Sequence, residues 1–564
     1  MKKEKPPEFQ DLKEEYQDFS LKVYEKLRER QAVHQSLYEQ TVLLGLEGED
    51  FQHPTHTPDA MLIVDDPADH LAQEHIIIDQ NPKTGKGGVT KGAQELADKN
   101  GKWMQELHNT SKRQEPYYYR EIIHNLCYWG EAFPKLDIHW DTIQDPEKFP
   151  GPPMEIVVPD STMIYASMDL TMGVPRSIYW ERIVTVGHIL EMLEEWNEGK
   201  EASLAVGKRK DSDLVYFIEW YKGAWMGYMV ADINQNTSRF WIDTVPFEAE
   251  IATLNPLGHP PFIRVYSGLG TSSPNGNPIY PARGILTGIE RVLIGKSRSY
   301  TMMDTHTAKH ILPIPILDIV DGYTLSDEDK DFSAGMWKRT SAGTIKKIEY
   351  LLPPPFSQAI LAQVSEQDKI LENYRPGVTR GVPIPGEPAS SMITRLGNAV
   401  LKWQPLSNAG KNAIRRLHEM ALEVVDIAGK TKRPNSNKVI AASIDLGGKS
   451  LSSEDVNGYY QAEVNVEPGN QEQLRFDIFT ALQLWDKIPN PMWIVQKFLH
   501  ESDATQFVLD MHTEEARREL LNDPQYRTAF FAGVFEQAGM KTELDRLNEM
   551  VKQGLLPGPG GPIP

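Results

Sequence analysis

Residues 374–391, YRPGVTRGVPIPGEPASS, divide this chain more sharply than any other segment. Four prolines (Pro376, Pro383, Pro385, Pro388) each remove a backbone donor, and three glycines (Gly377, Gly381, Gly386) free the backbone conformation. No helix or central strand crosses such a stretch, so the periodic segments on either side must be separate elements joined by an irregular loop. On its N-terminal side, residues 282–309 predict a helix whose apolar face is Ile285, Leu286, Ile289, Val292 and Leu293, with Pro281 in the first turn. A proline-broken segment, 311–354, predicts short strands, and 356–373 predicts a second helix. On the C-terminal side, 392–428 predicts a long helical stretch broken or bent at Pro405. Ile414, Leu417, Ala421, Val424 and Ala428 share one of its faces, and Gly429 is placed to cap it.

Outside that series helical and strand patterns are mixed. With 564 residues, two to four structural regions are expected. Residues 8–44 predict a long amphipathic helix, since Phe9, Leu12, Tyr16, Phe19, Val23 and Leu27 recur at three- and four-residue steps. Residues 45–100 read as polar and turn-rich, with NPKTGKGGVTKG (81–92) a loop by composition. A helical pattern at 102–129 ends at Gly130, and GEAF (130–133) leads into an alternating KLDIHW. Short strands are expected at 154–169 and 176–186, and a helix at 187–197. VYFIEWYKGAWMGYMV (215–230) predicts a hairpin turning at Lys222-Gly223. Strands are expected at 438–446 and 460–466, helices from Gln471 to Gln553, and a disordered LLPGPGGPIP tail. There is no internal repeat. The fold class is α+β.

Composition excludes several classes. Cys127 is the only cysteine, so no intrachain disulfide forms and a reducing compartment is expected. MKKEKPPEF runs into a charged periodic segment rather than an apolar core and does not read as a signal peptide. The longest apolar run, residues 311–320, is interrupted by Pro313, Pro315 and Asp318, so no membrane span is expected. A net charge of −20 argues against a protein whose whole surface grips nucleic acid. Against that background, residues 375–433 carry ten basic residues and four acidic ones. The basic set is Arg375, Arg380, Arg395, Lys402, Lys411, Arg415, Arg416, Lys430, Lys432 and Arg433. It is read either as a solvated helix face with its flanking loop or as a local contact with phosphates.

Chemical motifs are near misses. Gly295-Lys296-Ser297, Gly429-Lys430-Thr431 and Gly448-Lys449-Ser450 each resemble the end of a phosphate-binding loop, which needs a further glycine five residues earlier. Glu290, Val424 and Ser443 stand there instead. An ATP-driven motor is therefore not expected. His306 and His310 have a zinc-compatible spacing, but HTAKH lacks the glutamate of a metalloprotease. Asp65, Asp66 and Asp69 with His70 and His75 are the one group considered for a nuclease-like metal site, set against ordinary solvated carboxylates. No nucleophile elbow is present. No catalytic residue, metal or cofactor is assigned, and the chain is not expected to be an enzyme.

The order of helix (282–309), strand-bearing insert (311–354), returning helix (356–373), Pro/Gly loop (374–391) and long bent helix (392–428) resembles the portal protein of tailed double-stranded DNA bacteriophages. GEAF, HPPFIRVYSG (259–268), EVNVEPGNQEQLRFDIFTALQLW and IPNPMWIVQKFL add to the resemblance. It implies a portal-like ring subunit with a mixed wing, a helical stem, a small strand-bearing clip and a helical crown. The implied divisions are a wing at 1–280, stem helices at 281–310 and 355–374 and a clip at 311–354. A tunnel loop at 375–391 comes next, then a bent wing helix with returning strands at 392–470. Crown helices at 471–555 and the tail at 556–564 complete them. The resemblance further implies a ring of twelve copies at the capsid vertex of the virion, assembled in the host cytoplasm, through which duplex DNA is packaged and ejected. Its partners would be the large terminase subunit, the major capsid or scaffold protein and a head–tail adaptor, with no membrane. Arg375, Arg380 and Arg395 would contact DNA from the tunnel loop. Ile311, Ile314, Ile316, Leu317, Lys338 and Arg339 would form the clip's interaction surface, with a private strand core as the alternative role for the four apolar residues. Another head component, a minor head protein or adaptor, and a metal-dependent nucleic-acid enzyme are the alternatives.

Overall fold

A computed structural model describes residues 7–45, 54–73, 75–83, 91–113, 116–171, 173–195, 210–232, 253–272, 276–311, 314–319, 345–351, 358–375, 401–433 and 438–467. The chain divides into two units, Met1–Val466 and Glu467–Pro564. The helices expected at 471–553 and the tail lie outside the described residues.

The amino-terminal helix forms as α1 (Phe9–Asp18) and α2 (Glu25–Tyr38), with a π-helical turn at Phe19–Val23 between them. A π turn takes up an extra residue and rotates the helix beyond it. Leu12, Tyr16 and Leu27 are buried as the periodicity requires, but Tyr24 replaces Val23 on the buried face. The helix ends at Tyr38, short of residue 44.

The described part of 45–100 is not the turn-rich stretch expected: it holds α3 (Asp59–Ala72), β1 (His75–Asp79) and the start of α4 (Lys91–Lys112). Residues 84–90 of the expected loop lie outside the described residues. Ala60, Ile63, Val64, Ala68 and Leu71 follow helical spacing and are buried. Asp65, Asp66, Asp69 and Pro67, held inside the helix, disguise that stripe. The pattern at 102–129 is likewise two helices, because Pro116 separates α4 from α5 (Tyr118–Tyr128).

Next come β2 (Glu131–Ala132), β3 (Lys135–Ile138), α6 (Trp140–Gln144), β4 (Met154–Val157) and β5 (Ile164–Ala166). A small ribbon, β6 (Leu170–Thr171) with β7 (Val174–Pro175), precedes β8 (Ser177–Thr185) and α7 (Val186–Glu195). The expected hairpin is β9 (Leu214–Lys222) and β10 (Trp225–Asp232), with Gly223 at φ 57° in its turn. With β11 (Thr253–Leu254) these strands build an antiparallel sheet ordered β11-β10-β9-β8-β5. Tyr16, Tyr24 and Leu27 pack on it against Tyr165, Tyr179, Ile218 and Trp220. The remaining sheets among the described residues are two-stranded, so the architecture is α+β without a barrel.

After β12 (Val265–Tyr266), α8 (Glu290–Ile311) begins later than residue 282. Gly284 lies so close to the α5 terminus that a Cβ there would sit 2.5 Å from the Tyr128 carbonyl oxygen, and Gly288 holds φ 95°, both incompatible with an ordinary helical run. An antiparallel pair, β13 (Ile314–Ile319) and β14 (Ile345–Leu351), leads to α9 (Gln358–Glu372). The long α10 (Gln404–Lys430) contains Pro405 in its first turn, so this proline starts the helix instead of bending it. Gly429 is inside the helix and does not cap it. Its missing side chain admits Ser453, whose Cβ would stand 2.5 Å from an added Cβ. The hairpin β15 (Ser443–Leu446) and β16 (Lys449–Ser452), α11 (Ser453–Val456) and β17 (Glu463–Glu467), which pairs with β1, complete the described chain. Ile63, Leu107, Ile122, Leu417 and Ala421 bring α3, α4, α5 and α10 into one core.

GEAF and HPPFIRVYSG, far apart in sequence, meet at a single knot. Val265 pairs with Ala132 and Tyr266 with Glu131. The Ile263 amide donates to the Pro134 carbonyl at 3.0 Å, and the Ser267 amide to the Gly130 carbonyl at 3.0 Å. Between the strands the Arg264 guanidinium donates to Glu131 Oε2 at 2.8 Å, with both side chains 0% exposed. Tyr266, Phe133 and Tyr24 surround the guanidinium with ring centroids at 4.8, 5.3 and 5.6 Å. Gly130, at φ 82°, seals the knot against the 281–284 segment, since a Cβ there would lie 2.3 Å from the Arg283 nitrogen.

This packing generates two stability predictions. Arg264→Met leaves Glu131 charged and buried, which costs about 3–5 kcal/mol in urea unfolding, while Arg264→Met with Glu131→Leu recovers much of that loss. Gly130→Ala costs roughly 3 kcal/mol or more through strain and backbone clash, whereas Gly223→Ala, with open space around it, costs only about 1 kcal/mol.

Candidate functional site

The feature with the clearest mechanical character is the helix pair α8–α9. Gly295 lies where a Cβ would be 2.8 Å from Gln367, and Lys296 Nζ sits 2.7 Å from Asp368. Early α8 thus meets late α9, an antiparallel arrangement. Lys296 also pairs with Asp59 of α3 at 2.8 Å. Burial opposes the charge on Lys296, but the two carboxylates outweigh it and raise its pKa above the usual lysine value. The β13–β14 ribbon stands at the far end of the pair, with Ile314 opposite Leu351, Ile316 opposite Glu349 and Leu317 opposite Ile348. Ile311 is the last residue of α8. Lys338 and Arg339 lie outside the described residues.

The described residues on either side of 376–400 both meet α3. At the near end, Arg375 Nε donates to Asp66. At the far end, Lys402 Nζ donates to the Asn373 carbonyl at 2.9 Å, and Trp403 packs on His70 with ring centroids 5.4 Å apart. Burial lowers the pKa of His70, favouring its neutral form there. Arg380 and Arg395 lie outside the described residues.

The acidic group considered for metal chemistry is on α3, not in a turn, and each carboxylate has a partner. Asp65 accepts from Tyr38 at 3.0 Å and lies 3.4 Å from His124, Asp66 pairs with Arg375, and Asp69 accepts from Arg120 at 2.7 Å. The three GK[ST] lysines are also paired: Lys296 as above, Lys430 with Asp426 at 2.6 Å and Lys449 with Glu106 at 2.9 Å. His306 and His310 both fall on α8.

Sequence reasoning missed two places. Asp137, His139 and Glu155, on and beside the β3–β4 hairpin, bring three potential ligand atoms within 4.8 Å of one another. A hydrogen bond to Glu155 raises the His139 pKa. Burial would raise Asp137, but Lys135, 2.9 Å away, outweighs it and holds that carboxyl below its usual value. The alternating KLDIHW was the available signal; Glu155 could not be paired with it before the register was known. The second place is a cleft of about 1170 Å³ along α10. Lys411, Arg415 and Arg416 line it with Arg176, and Asp169, Glu419, Glu423 and Glu463 supply an equal number of acids. Arg416 pairs with Glu419 at 2.5 Å and His259 with Glu423 at 3.3 Å, while Lys411 and Arg415 have no such partner among the described residues. Of the described basic residues of 375–433, Arg375, Arg416 and Lys430 thus pair with carboxylates, Lys411 and Arg415 face the cleft, and Lys402 and Arg433 donate to backbone carbonyls.

No protein-family model matches the chain, and no curated protein matches it in sequence. Among solved structures, one to which it is similar is the neck of an empty GTA particle computed with C6 symmetry, at 10% sequence identity and a TM-score of 0.35, covering 81% of this chain and 88% of that one. Among the described residues no helix is long and apolar enough to cross a membrane.

The core behind α10 yields a pH prediction. His418 is fully buried, its Nδ1 donating to the Ile414 carbonyl at 2.8 Å, and burial holds its pKa down at about 4. An unfolded histidine titrates near 6.5, so the unfolded state takes the proton first. Stability contributed by neutral His418 is complete above that value and is lost as pH falls from about 6.5 to about 4, by roughly 3 kcal/mol in all. Chemical denaturation of the native protein and of His418→Leu across this range checks it: the variant is expected to lose that part of the pH dependence.

Proposed function

We propose that this chain is the subunit of a phage portal, a homo-oligomeric ring at the capsid vertex through which duplex DNA enters and leaves. The observation that carries the reading is the α8, β13–β14, α9 arrangement: an antiparallel helix pair with a strand ribbon at one end, followed by the Pro/Gly segment and the long α10. In this reading α8 and α9 are the stem, and the ribbon is the clip that docks the large terminase subunit and the head–tail adaptor. Residues 376–400 include the tunnel loop. Fastening its flanks to α3 gives the loop a fixed base from which to follow a helical duplex. Arg375, paired with Asp66, serves chiefly at that base, and Arg380 and Arg395 supply the phosphate contacts.

Such a subunit does no bond-making. Head-to-tail contacts close into rings when their rotation closes, and each arginine then becomes a ring of charges. Contacts of that kind with the DNA backbone are independent of sequence and sensitive to salt. A net charge of −20 suits a channel along which DNA slides without sticking. A nuclease reading centred on Asp65 to His75 has less support, since the three aspartates are held by Tyr38, His124, Arg375 and Arg120.

The test is genetic and hydrodynamic. Arg380→Ala with Arg395→Ala is expected to leave a ring-sized particle, a multiple of the 63.9 kDa chain, in sedimentation velocity, while genome packaging or retention falls by roughly tenfold or more, in line with lost charge-assisted contacts. Unchanged packaging in the double variant removes the loop's assigned role. A chain that sediments as a monomer at every concentration removes the ring.

A further inference from the structure

Beside the knot, where α2 passes the segment leading to α8, is a cavity of about 300 Å³ lined by Lys26, Arg30, Arg283, Thr271, Tyr280 and Thr287 among others. Among the described residues three cations line it and no carboxylate does, in a chain of net charge −20. Lys26 and Arg283 are exposed and their side chains have no acidic partner among the described residues. Arg30 is more constrained: Nη1 donates to the Ile279 carbonyl at 3.0 Å and Nη2 to the Ala282 carbonyl, which leaves its charge without a carboxylate in contact. The nearby Glu290 is already engaged, bonded to His34 at 3.0 Å and to the Gly288 amide at 2.7 Å.

Arg30 Nε and the Thr287 hydroxyl make no hydrogen bond and are shielded even from a water-sized neighbour, so they add to the cost of this place without facing the cavity. The cations around it, two of them exposed, are what suit it to an oxyanion. Burial, reinforced by the like charge of Arg283, lowers the Arg30 pKa although Glu290 and Glu131 oppose the shift. A bound anion would reverse that penalty. The donor set is broad enough for several oxygens, which favours a tetrahedral phosphoryl group over a single carboxylate.

We propose that this cavity binds a phosphate group, held by Lys26, Arg30 and Arg283. The site is separate from the Pro/Gly loop and does not depend on the portal reading. Its phosphate comes either from a free ion or from a nucleic-acid backbone.

The test is titration calorimetry of the full-length protein with inorganic phosphate at constant ionic strength, with chloride as the reference, and a parallel titration with a short DNA duplex. Lys26→Ala with Arg283→Ala removes two exposed side chains and spares Arg30, which supports the backbone at Ile279 and Ala282. Phosphate affinity is expected to fall about tenfold or more in this variant, with the melting temperature in chloride unchanged. Lys26→Gln with Arg283→Gln provides an independent pair that keeps side-chain bulk, with a comparable loss expected. A matching loss of duplex affinity assigns the phosphate to a nucleic-acid backbone, and a loss confined to inorganic phosphate assigns it to a free ion; both support the cavity. Wild-type protein that takes up no phosphate beyond the chloride reference overturns the proposal, as does undiminished phosphate affinity in the double variant. If the double variant loses only self-association, the cavity receives a carboxylate of a second copy and the phosphate assignment fails.

Discussion

The ion pair of Arg264 and Glu131 is the constraint on which the described architecture turns. Both side chains are withdrawn from water completely, so neither tolerates loss of the other. The pair fixes β12 against β2, and the same contact region places Gly130 against the backbone of Arg283. That backbone leads directly into α8. Tyr24 and Arg28 of the N-terminal helices join from the other side: the Tyr24 hydroxyl bonds the Ala166 carbonyl at 3.0 Å, and the Arg28 guanidinium lies 5.0 Å from the Tyr24 and Tyr165 rings. One buried charge pair thus ties together the N-terminal helices, the five-stranded sheet and the start of the helix pair.

Some of this was legible in the sequence because local chemistry decided it. The β9–β10 hairpin was readable from alternating aromatic and β-branched residues around Lys222-Gly223, and the buried stripe of α10 from Ile414, Leu417, Ala421 and Val424. Where distant partners override local pattern, the reading failed. Helix α3 was hidden because Asp65, Asp66 and Asp69 look like a solvated turn until Tyr38, Arg375 and Arg120 are brought to them. The late start of α8 depends on Gly284 meeting α5, and no periodicity encodes that approach. Glu131 and Arg264 are separated by 133 positions, and nothing in GEAF or HPPFIRVYSG alone says that the two motifs pair.

The same distinction applies to the candidate site. The order helix, strands, helix and, beyond the Pro/Gly-rich stretch, long helix is legible because prolines and glycines mark its joints. The fate of the basic residues was not. Arg375, Arg416 and Lys430 are held by carboxylates of the same chain, and Lys411 and Arg415 face a cleft whose charges balance. Local charge counts overstate what is available to a partner, because internal pairing consumes part of it. Lysines that imitate nucleotide-binding motifs are explained in the same way, each meeting an acidic side chain. The protein's proposed work is therefore charge placement and rigid support, with a fixed base on α3 beneath a proline- and glycine-rich segment.

Ring formation is the central claim, and image averaging of the purified full-length protein by electron microscopy tests it most directly. The account predicts closed rings of identical subunits around an axial channel wide enough for a DNA duplex. Particles of single-chain size at high protein concentration, with no rings in any class, would contradict it.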